Sequence, residues 1–373
     1  MLRQTIIALL LCISVYAVGQ KTVSSIQVRN LSAYSIVNRL VSLSWDSLGF
    51  RAADTTSLIV INKRDKKELP IQWFVDSGKI IECLVMLSLP AHSDVEIEFK
   101  KAKRAVLPPL TYGRFVPERF DDFAWENNRI AFRAYGKALE ATKENAYGFD
   151  VWVKKTEKMV IDKWYKNADY HKDHGEGLDY YSVGYTLGAG NIAPVVNEKI
   201  VYSPNFYRSV IIANGPLRTV FDLEYLPFSV GKSLITCKKR ITIDASSQLS
   251  KVNFSFDVVG EFDSLFCIGL TRRKLPGQVH VDEARGLLTY WEPEDPVNGT
   301  TGTAILLNRN AQYFSDIKHH LFIVKPKSNY IEYFIGAAWN KAKDIEKFEE
   351  WIGYIDNIAS TSTGAIQVWY RRN

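Results

Sequence analysis

Hydrophobic and polar residues alternate in short bursts along most of the chain, the period of two expected of strands buried on one face. Ile26 and Val28 interleave with Gln27 and Arg29, and Val95-Glu-Ile-Glu-Phe99 alternates strictly. Leu58-Ile-Val-Ile-Asn62, Ile71-Gln-Trp-Phe-Val75 and Lys79-Ile-Ile-Glu-Cys-Leu-Val-Met86 supply further strands, with polar turns such as Lys63-Arg-Asp-Lys-Lys-Glu68 between them. Strands at this spacing predict a small β-sandwich over residues 21–105. The run Lys100-Lys-Ala-Lys-Arg104 ahead of Pro108-Pro109 reads as a linker.

Beyond Thr111 the strands lengthen. Arg129-Ile-Ala-Phe-Arg-Ala-Tyr135 puts Ile130, Phe132 and Ala134 on one face and Arg129, Arg133 and Tyr135 on the other. Ile235, Cys237, Ile241 and Ile243 share a face broken by Lys239, while Val252, Phe254, Phe256 and Val258 alternate with Asn253, Ser255 and Asp257. Leu287 to Tyr290, Thr303 to Leu307, Leu321 to Val324, Tyr330 to Ile335 and Ile366 to Tyr370 continue the series. The pattern predicts an all-β fold with a second, large antiparallel sandwich over residues 106–373. One helix is expected, capped by Asp344, with Ile345, Phe348, Ile352 and Ile355 as its apolar stripe.

Residues 1–20 have the layout of a secretory signal. Arg3 gives the positive start, Ile6 to Val18 the apolar centre, and Ala17-Val18-Gly19 the small residues before cleavage at Gln20 or Lys21. The protein is therefore expected to be exported, periplasmic or secreted. No later run approaches the ~20 apolar residues of a membrane span, and Cys12 has the wrong neighbours for lipid attachment. Cys83, Cys237 and Cys267 sit in apolar strand-like runs and read as buried thiols. The net charge of +6 comes from 47 basic against 41 acidic residues. So mild an excess, with no basic block carrying interleaved aromatics, excludes nucleic acid as the expected partner. It is compatible with an anionic substrate.

Candidate chemistry concentrates in Asp169-Tyr-His-Lys-Asp-His-Gly-Glu-Gly-Leu-Asp-Tyr-Tyr181, which holds two of the chain's six histidines beside four acids and three tyrosines. Gly175 and Gly177 argue for a loop, where sites tend to sit. His171 and His174 are candidates for proton transfer. A divalent metal is possible there, but nothing in the sequence requires a cofactor. Tyr180 and Tyr181 point opposite ways if extended, so one is expected to reach a cleft. Arg133 and Tyr135 share the polar face of their strand, and a guanidinium there could hold a carboxylate in a forked pair. Trp152, Trp164 and Trp339 are candidate stacking surfaces for sugar rings, with core packing as the alternative. Glu176 and His320 are further candidate substrate contacts. The chain carries no Gly-x-Ser-x-Gly elbow, phosphate loop or dinucleotide fingerprint.

Four strings together resemble the DUF4861 family: Glu118-Arg-Phe-Asp-Asp-Phe-Ala-Trp-Glu-Asn-Asn-Arg-Ile-Ala-Phe-Arg-Ala-Tyr-Gly136, Gly148-Phe-Asp-Val-Trp-Val-Lys154, Tyr170-His-Lys-Asp-His-Gly-Glu-Gly-Leu-Asp179 and Gly336-Ala-Ala-Trp339. The segment Gly184-Tyr-Thr-Leu-Gly188 is a local departure. The resemblance implies an exported protein of a bacterial polysaccharide-utilisation system, with a β-supersandwich like that of galactose mutarotase. It also implies action on uronic-acid oligosaccharides, eliminating water to leave an unsaturated end.

The residues suit such an elimination, by a dehydratase or a lyase. His174 or His171 would take the C5 proton, Arg133 would face the carboxylate, and Tyr181 or Tyr180 would protonate the departing oxygen. Two rivals stand beside it. A glycoside hydrolase would draw its paired carboxylates from Asp173, Glu176 and Asp179, and a non-catalytic glycan-binding protein would use the same surface without turnover.

Overall fold

The computed structural model describes residues 23–372 apart from 145, 168, 264 and 363. The expected signal at 1–20 lies outside them. The fold is all-β, as the alternation requires.

The first five-stranded sheet runs in the order Ile366–Arg372, Val23–Asn30, Asp94–Lys101, Leu58–Asn62, Glu68–Leu69. It packs on a three-stranded sheet of Ile36–Ser44, Lys79–Leu89 and Ile71–Asp76. Ile26, Val28, Val60 and Ile97 from one sheet meet Val41, Leu43, Cys83 and Val85 from the other in a single core. The strand expected at 366–370 forms, but not in the large sandwich. It pairs antiparallel with the first strand, Val28 opposite Val368 and Ile26 opposite Tyr370. Its alternating exposure fits an edge of the small sheet, a partner that local pattern does not specify.

The large sandwich sets an eight-stranded sheet against two five-stranded sheets. The eight run Arg208–Asn214, Arg218–Val230, Ser233–Asp244, Leu249–Val259, Tyr330–Trp339, Thr301–Leu306, Leu287–Trp291, Gln278–Asp282. One facing sheet is ordered Gly177–Leu178, Asp150–Lys154, Ile130–Ala134, Asp122–Asn127, Thr111–Val116. The other is ordered Lys199–Ile200, Ala189–Val196, Phe266–Thr271, His319–Val324, Gln312–Ser315. Trp125, Phe132 and Val151, Ile192, Ile268 and Phe322, and Phe221, Ile241 and Ile335 fuse the three sheets into one core.

The pleat sorts the site residues. Ile130, Phe132, Ala134, Val151 and Val153 turn into that core, so Ala131, Arg133, Asp150, Trp152 and Lys154 take the opposite face. That face is covered by Val160 and the short helix Ile161–Lys166, whose Ile161 and Trp164 pack on Ala131 and Trp152. The buried carboxylate of Glu126 accepts the backbone N–H groups of Val160 and Ile161 at 2.8 Å and the Lys154 ammonium at 2.6 Å.

The late helix spans Phe348–Ser362, starting after the expected Asp344 cap. Asp344 instead pairs with Arg129 at 3.0 Å, and the Glu350 carboxylate accepts the N–H of Glu346 at 2.7 Å. Phe348, Trp351, Ile355 and Ile358 bury its apolar face on the outer side of the eight-stranded sheet, and Trp351 Nε1 donates to the Thr303 carbonyl at 3.1 Å. Cys83, Cys237 and Cys267 are free and buried; burial pushes the Cys237 thiol up to about 11. No helix among the described residues is long and apolar enough to cross a membrane.

Candidate active site

Arg133 stands opposite Asp150 in the register of two neighbouring strands, and Asp179 follows the short edge strand Gly177–Leu178. Both carboxylates accept from the same guanidinium nitrogen, Nη2, with Asp179 at 3.1 Å. Asp122 lies 3.9 Å from Nε. The guanidinium rests over the Tyr135 ring at 5.0 Å and the Trp152 ring at 5.4 Å, leaving Arg133 only 5% exposed. The protein's own acids occupy Nη2 alone; Nε and Nη1 are buried without a hydrogen-bond partner among the described residues. Arg133 lines the cleft, as expected of a site residue, and through Nη2 it also ties Asp150 and Asp179 together beneath it.

One cation cannot balance three buried carboxylates. Burial pushes the Asp122 carboxyl up to about 7 against the pull of Arg133. It also raises Asp150, and it raises Asp179 well above the usual carboxylate range, reinforced by the neighbouring Asp150 charge. Both causes favour the protonated form of Asp179.

The histidine-bearing segment is a loop, as its glycines require. Gly177 has φ 122°, and a Cβ there would lie 2.0 Å from the Val153 carbonyl oxygen, so only glycine fits. Asp173 Oδ1 accepts the N–H of Gly175 at 2.8 Å and of Gly177 at 3.1 Å, and its other oxygen takes Lys155. The Asp179 N–H closes the loop on the Tyr170 carbonyl at 3.0 Å. Within this frame His171 Nδ1 lies 2.9 Å from the Asp179 carbonyl oxygen. A carbonyl only accepts, so Nδ1 is the donor of this bond, which selects the tautomer whose lone pair is on Nε2.

Arg119, Arg133, Tyr135, His171, Asp179, Tyr180 and Tyr181 line one cleft of about 340 Å³. Arg119 reaches its rim and pairs at 2.8 Å with Glu144, whose side chain is 63% exposed. Both tyrosines line the cleft, where one was expected. Tyr180 shares a hydrogen bond of 2.6 Å with the Thr301 hydroxyl, and the Tyr181 ring lies under Arg273 at 4.5 Å. Burial raises both phenols. Arg273 also donates to the Ser182 carbonyl and pairs with Glu292 at 2.7 Å. Burial outweighs that pairing and pushes Glu292 up to about 7.

Other expected site residues lie elsewhere. His174 Nε2 meets the Asp169 carbonyl at 3.1 Å on the exposed part of the loop, and Glu176 pairs with Lys163 at 2.6 Å. Neither lines the cleft. Trp152 is fully buried, with Trp164 at 5.6 Å and Tyr170 at 5.2 Å. Trp339 is 2% exposed, and its Nε1 donates to the Asn298 carbonyl at 2.7 Å. These three indoles present no open face to a sugar ring: Trp152 is covered by the helix Ile161–Lys166, Trp164 packs from that helix onto it, and Trp339 turns into the core. His320 is buried beside Tyr290 and bonded to the Tyr313 hydroxyl at 2.9 Å; burial and Arg272 push its imidazole down to about 4. Of the three acids offered for hydrolysis, only Asp179 lines the cleft. Among the described residues no three histidine, cysteine or acidic side chains are grouped to hold a metal ion.

Arg119, Asp122, Arg273 and Glu292 were not singled out from the sequence. The first two stand within the Glu118–Gly136 string; the other two carry no local signal, because distant strands bring them together.

The three sheets form an all-β sandwich that carries a polar cleft. The chain belongs to the DUF4861 family, a domain of unknown function whose model matches residues 28–368. It is 31% identical over 323 residues to the uncharacterised protein P7 of Formosa agariphila, covering 79% of this chain and 80% of that protein. Its fold is similar to a crystal structure of a protein in glycosyl hydrolase family 38 from Enterococcus faecalis, with a TM-score of 0.52 and 8% identity. That likeness covers 93% of this chain and 47% of the other, so the chain spans about half its length. At that identity it shows the fold alone.

Proposed function

We propose that the protein is an exported carbohydrate-processing enzyme that acts on uronic-acid-containing oligosaccharides by β-elimination. The observation that carries this reading is the placing of His171, Asp179 and Arg119 around one cleft. His171 Nε2 removes the C5 proton of the uronate. The electrons of that C–H bond form the C4–C5 double bond, and the C4–O bond breaks. The departing oxygen takes its proton from Asp179, whose protonated form burial favours. Arg119 at the rim faces the uronate carboxylate as negative charge builds on it. Arg133 sets the position of Asp179 through Nη2.

His171 and Asp179 adjoin through the 2.9 Å bond, which favours proton removal and delivery on one side of the ring. The same groups serve whether the leaving group is water or a sugar. Incubation with uronate-terminated oligosaccharides is expected to produce the ultraviolet absorbance of the unsaturated product. A flat trace from folded protein across a broad glycan panel would reject elimination. Reducing ends released without new absorbance would replace it with hydrolysis.

A further inference from the structure

A second cleft, of about 390 Å³, lies where the small sandwich, the eight-stranded sheet and the helix Phe348–Ser362 meet. It shares no lining residue with the active-site cleft. Its volume is within the range of small-ligand sites.

Three cations line it, and two are already matched. Arg218 sets Nε and Nη2 on the two Asp244 oxygens at 2.6 and 2.8 Å, and Nη1 on Glu82 at 2.7 Å. Lys251 lies 3.6 Å from Glu332. Arg39 is the cation left over. Half-buried, it makes no ion pair among the described residues, and its hydrogen bond runs from Nη1 to the Thr361 hydroxyl. Burial pulls its pKa down; the nearby Asp244 carboxylate works against that pull, but both its oxygens are held by Arg218.

The backbone goes out of its way to put Arg39 there. Strand Ile36–Ser44 breaks register with its neighbour between Ile36 and Arg39, and Asn38 sits at φ 48°. The Asn38 N–H is held by the Ser88 hydroxyl at 2.9 Å. A bulge of this kind re-aims the side chain that follows it. Leu40 and Ile358 give the cleft apolar walls, and Ser246 and Ser247 bring polar groups to it. That mixture suits a sugar ring, with its C–H faces and hydroxyl rim.

We infer that this cleft binds an oxyanion borne on a saccharide, the sulfate or carboxylate of an anionic glycan unit, and that Arg39 receives it. The saccharide part rests on the function proposed above; the anion part rests on Arg39 alone.

The test uses calorimetric titration of the chain carrying His171→Ala, so that turnover does not intervene. The probes are a sulfated oligosaccharide, a uronate oligosaccharide, an uncharged oligosaccharide and inorganic sulfate. At least one anionic saccharide is expected to show a saturable site weakened at least about tenfold by Arg39→Ala, held within about threefold by Arg39→Lys, and unchanged by Arg119→Ala. The tighter of the two anionic saccharides identifies the oxyanion. Inorganic sulfate binding that depends on Arg39, with no gain from the sugar, keeps the anion site but removes the saccharide. Equal affinities with and without Arg39, in variants of unchanged melting temperature, would overturn the proposal and leave Arg39 as a counter-charge to the helix C-terminus. So would saturable binding of the uncharged oligosaccharide at equal strength, or no binding of any anionic probe.

Discussion

His171 and Asp179 are joined at 2.9 Å through the imidazole Nδ1 and a backbone carbonyl, with the Asp179 carboxylate oxygen further from the same nitrogen at 3.7 Å. The side chain of Asp179 meets Arg133, so in the elimination proposed above one residue orients the base with its main chain and supplies a proton with its side chain. His171→Ala is expected to lower turnover by about 10²–10⁴-fold, the usual worth of general acid–base catalysis. His174→Ala should stay within about twofold. Initial rates of ultraviolet absorbance separate the two, and equal losses would refute the assignment.

Arg119 makes its exposed pair with Glu144 at the cleft rim, which leaves it able to exchange partners. Arg119→Ala is expected to raise KM for uronate substrates by about tenfold or more, in line with the loss of a charge-assisted hydrogen bond. Its melting temperature should hardly change. Steady-state kinetics with a neutral oligosaccharide as control would show whether charge is what is lost.

Arg133→Ala removes the cation that Asp122, Asp150 and Asp179 surround. The expected cost is about 3–5 kcal/mol of folding stability, because buried carboxylates are left unmatched. Arg133→Lys should recover only part of it, since an ammonium cannot reproduce the planar fork. Denaturant titration measures both. A near-neutral Arg133→Ala would mean that the acids had protonated without penalty.

The raised carboxyls make stability depend on pH in a definite sense. Asp122 and Glu292 are pushed up to about 7 by burial, above the roughly 4 of an unfolded chain. The folded state therefore binds more protons between these values. That stabilising contribution is full below about pH 4 and fades as pH rises through about 7. The melting temperature should fall between about pH 5 and pH 8, and Asp122→Asn or Glu292→Gln should flatten the fall. A rise over the same interval would contradict the burial argument.

Trp351 is fully buried between its helix and the eight-stranded sheet. Trp351→Ala is expected to cost about 3–5 kcal/mol without changing affinity for substrate. Trp339→Phe should likewise lower the melting temperature and leave glycan affinity intact. A selective loss of affinity would restore Trp339 as a sugar platform.

Much of this architecture was legible from alternation alone. Ile130, Phe132 and Ala134 against Arg133 fixed which face of that strand meets the core, and Gly175 with Gly177 marked the loop. The helix start was not legible: Glu350, one turn inside, satisfies the N–H groups expected of Asp344. Nor did local pattern say which side of the sheet is open. Trp152 and Arg133 share a face, yet Ile161–Lys166 closes over the indole. Arg119 and Glu292 needed tertiary neighbours to acquire any role at all.

Strand Ile366–Arg372 lies against Val23–Asn30 although the whole large sandwich separates them in sequence. On the ribosome, the first-made sheet must therefore wait with a bare edge while some 340 further residues are threaded out. The part of the protein that is translated first is the part that is sealed last. A clip that removes the final strand would reopen it, however well the rest has folded.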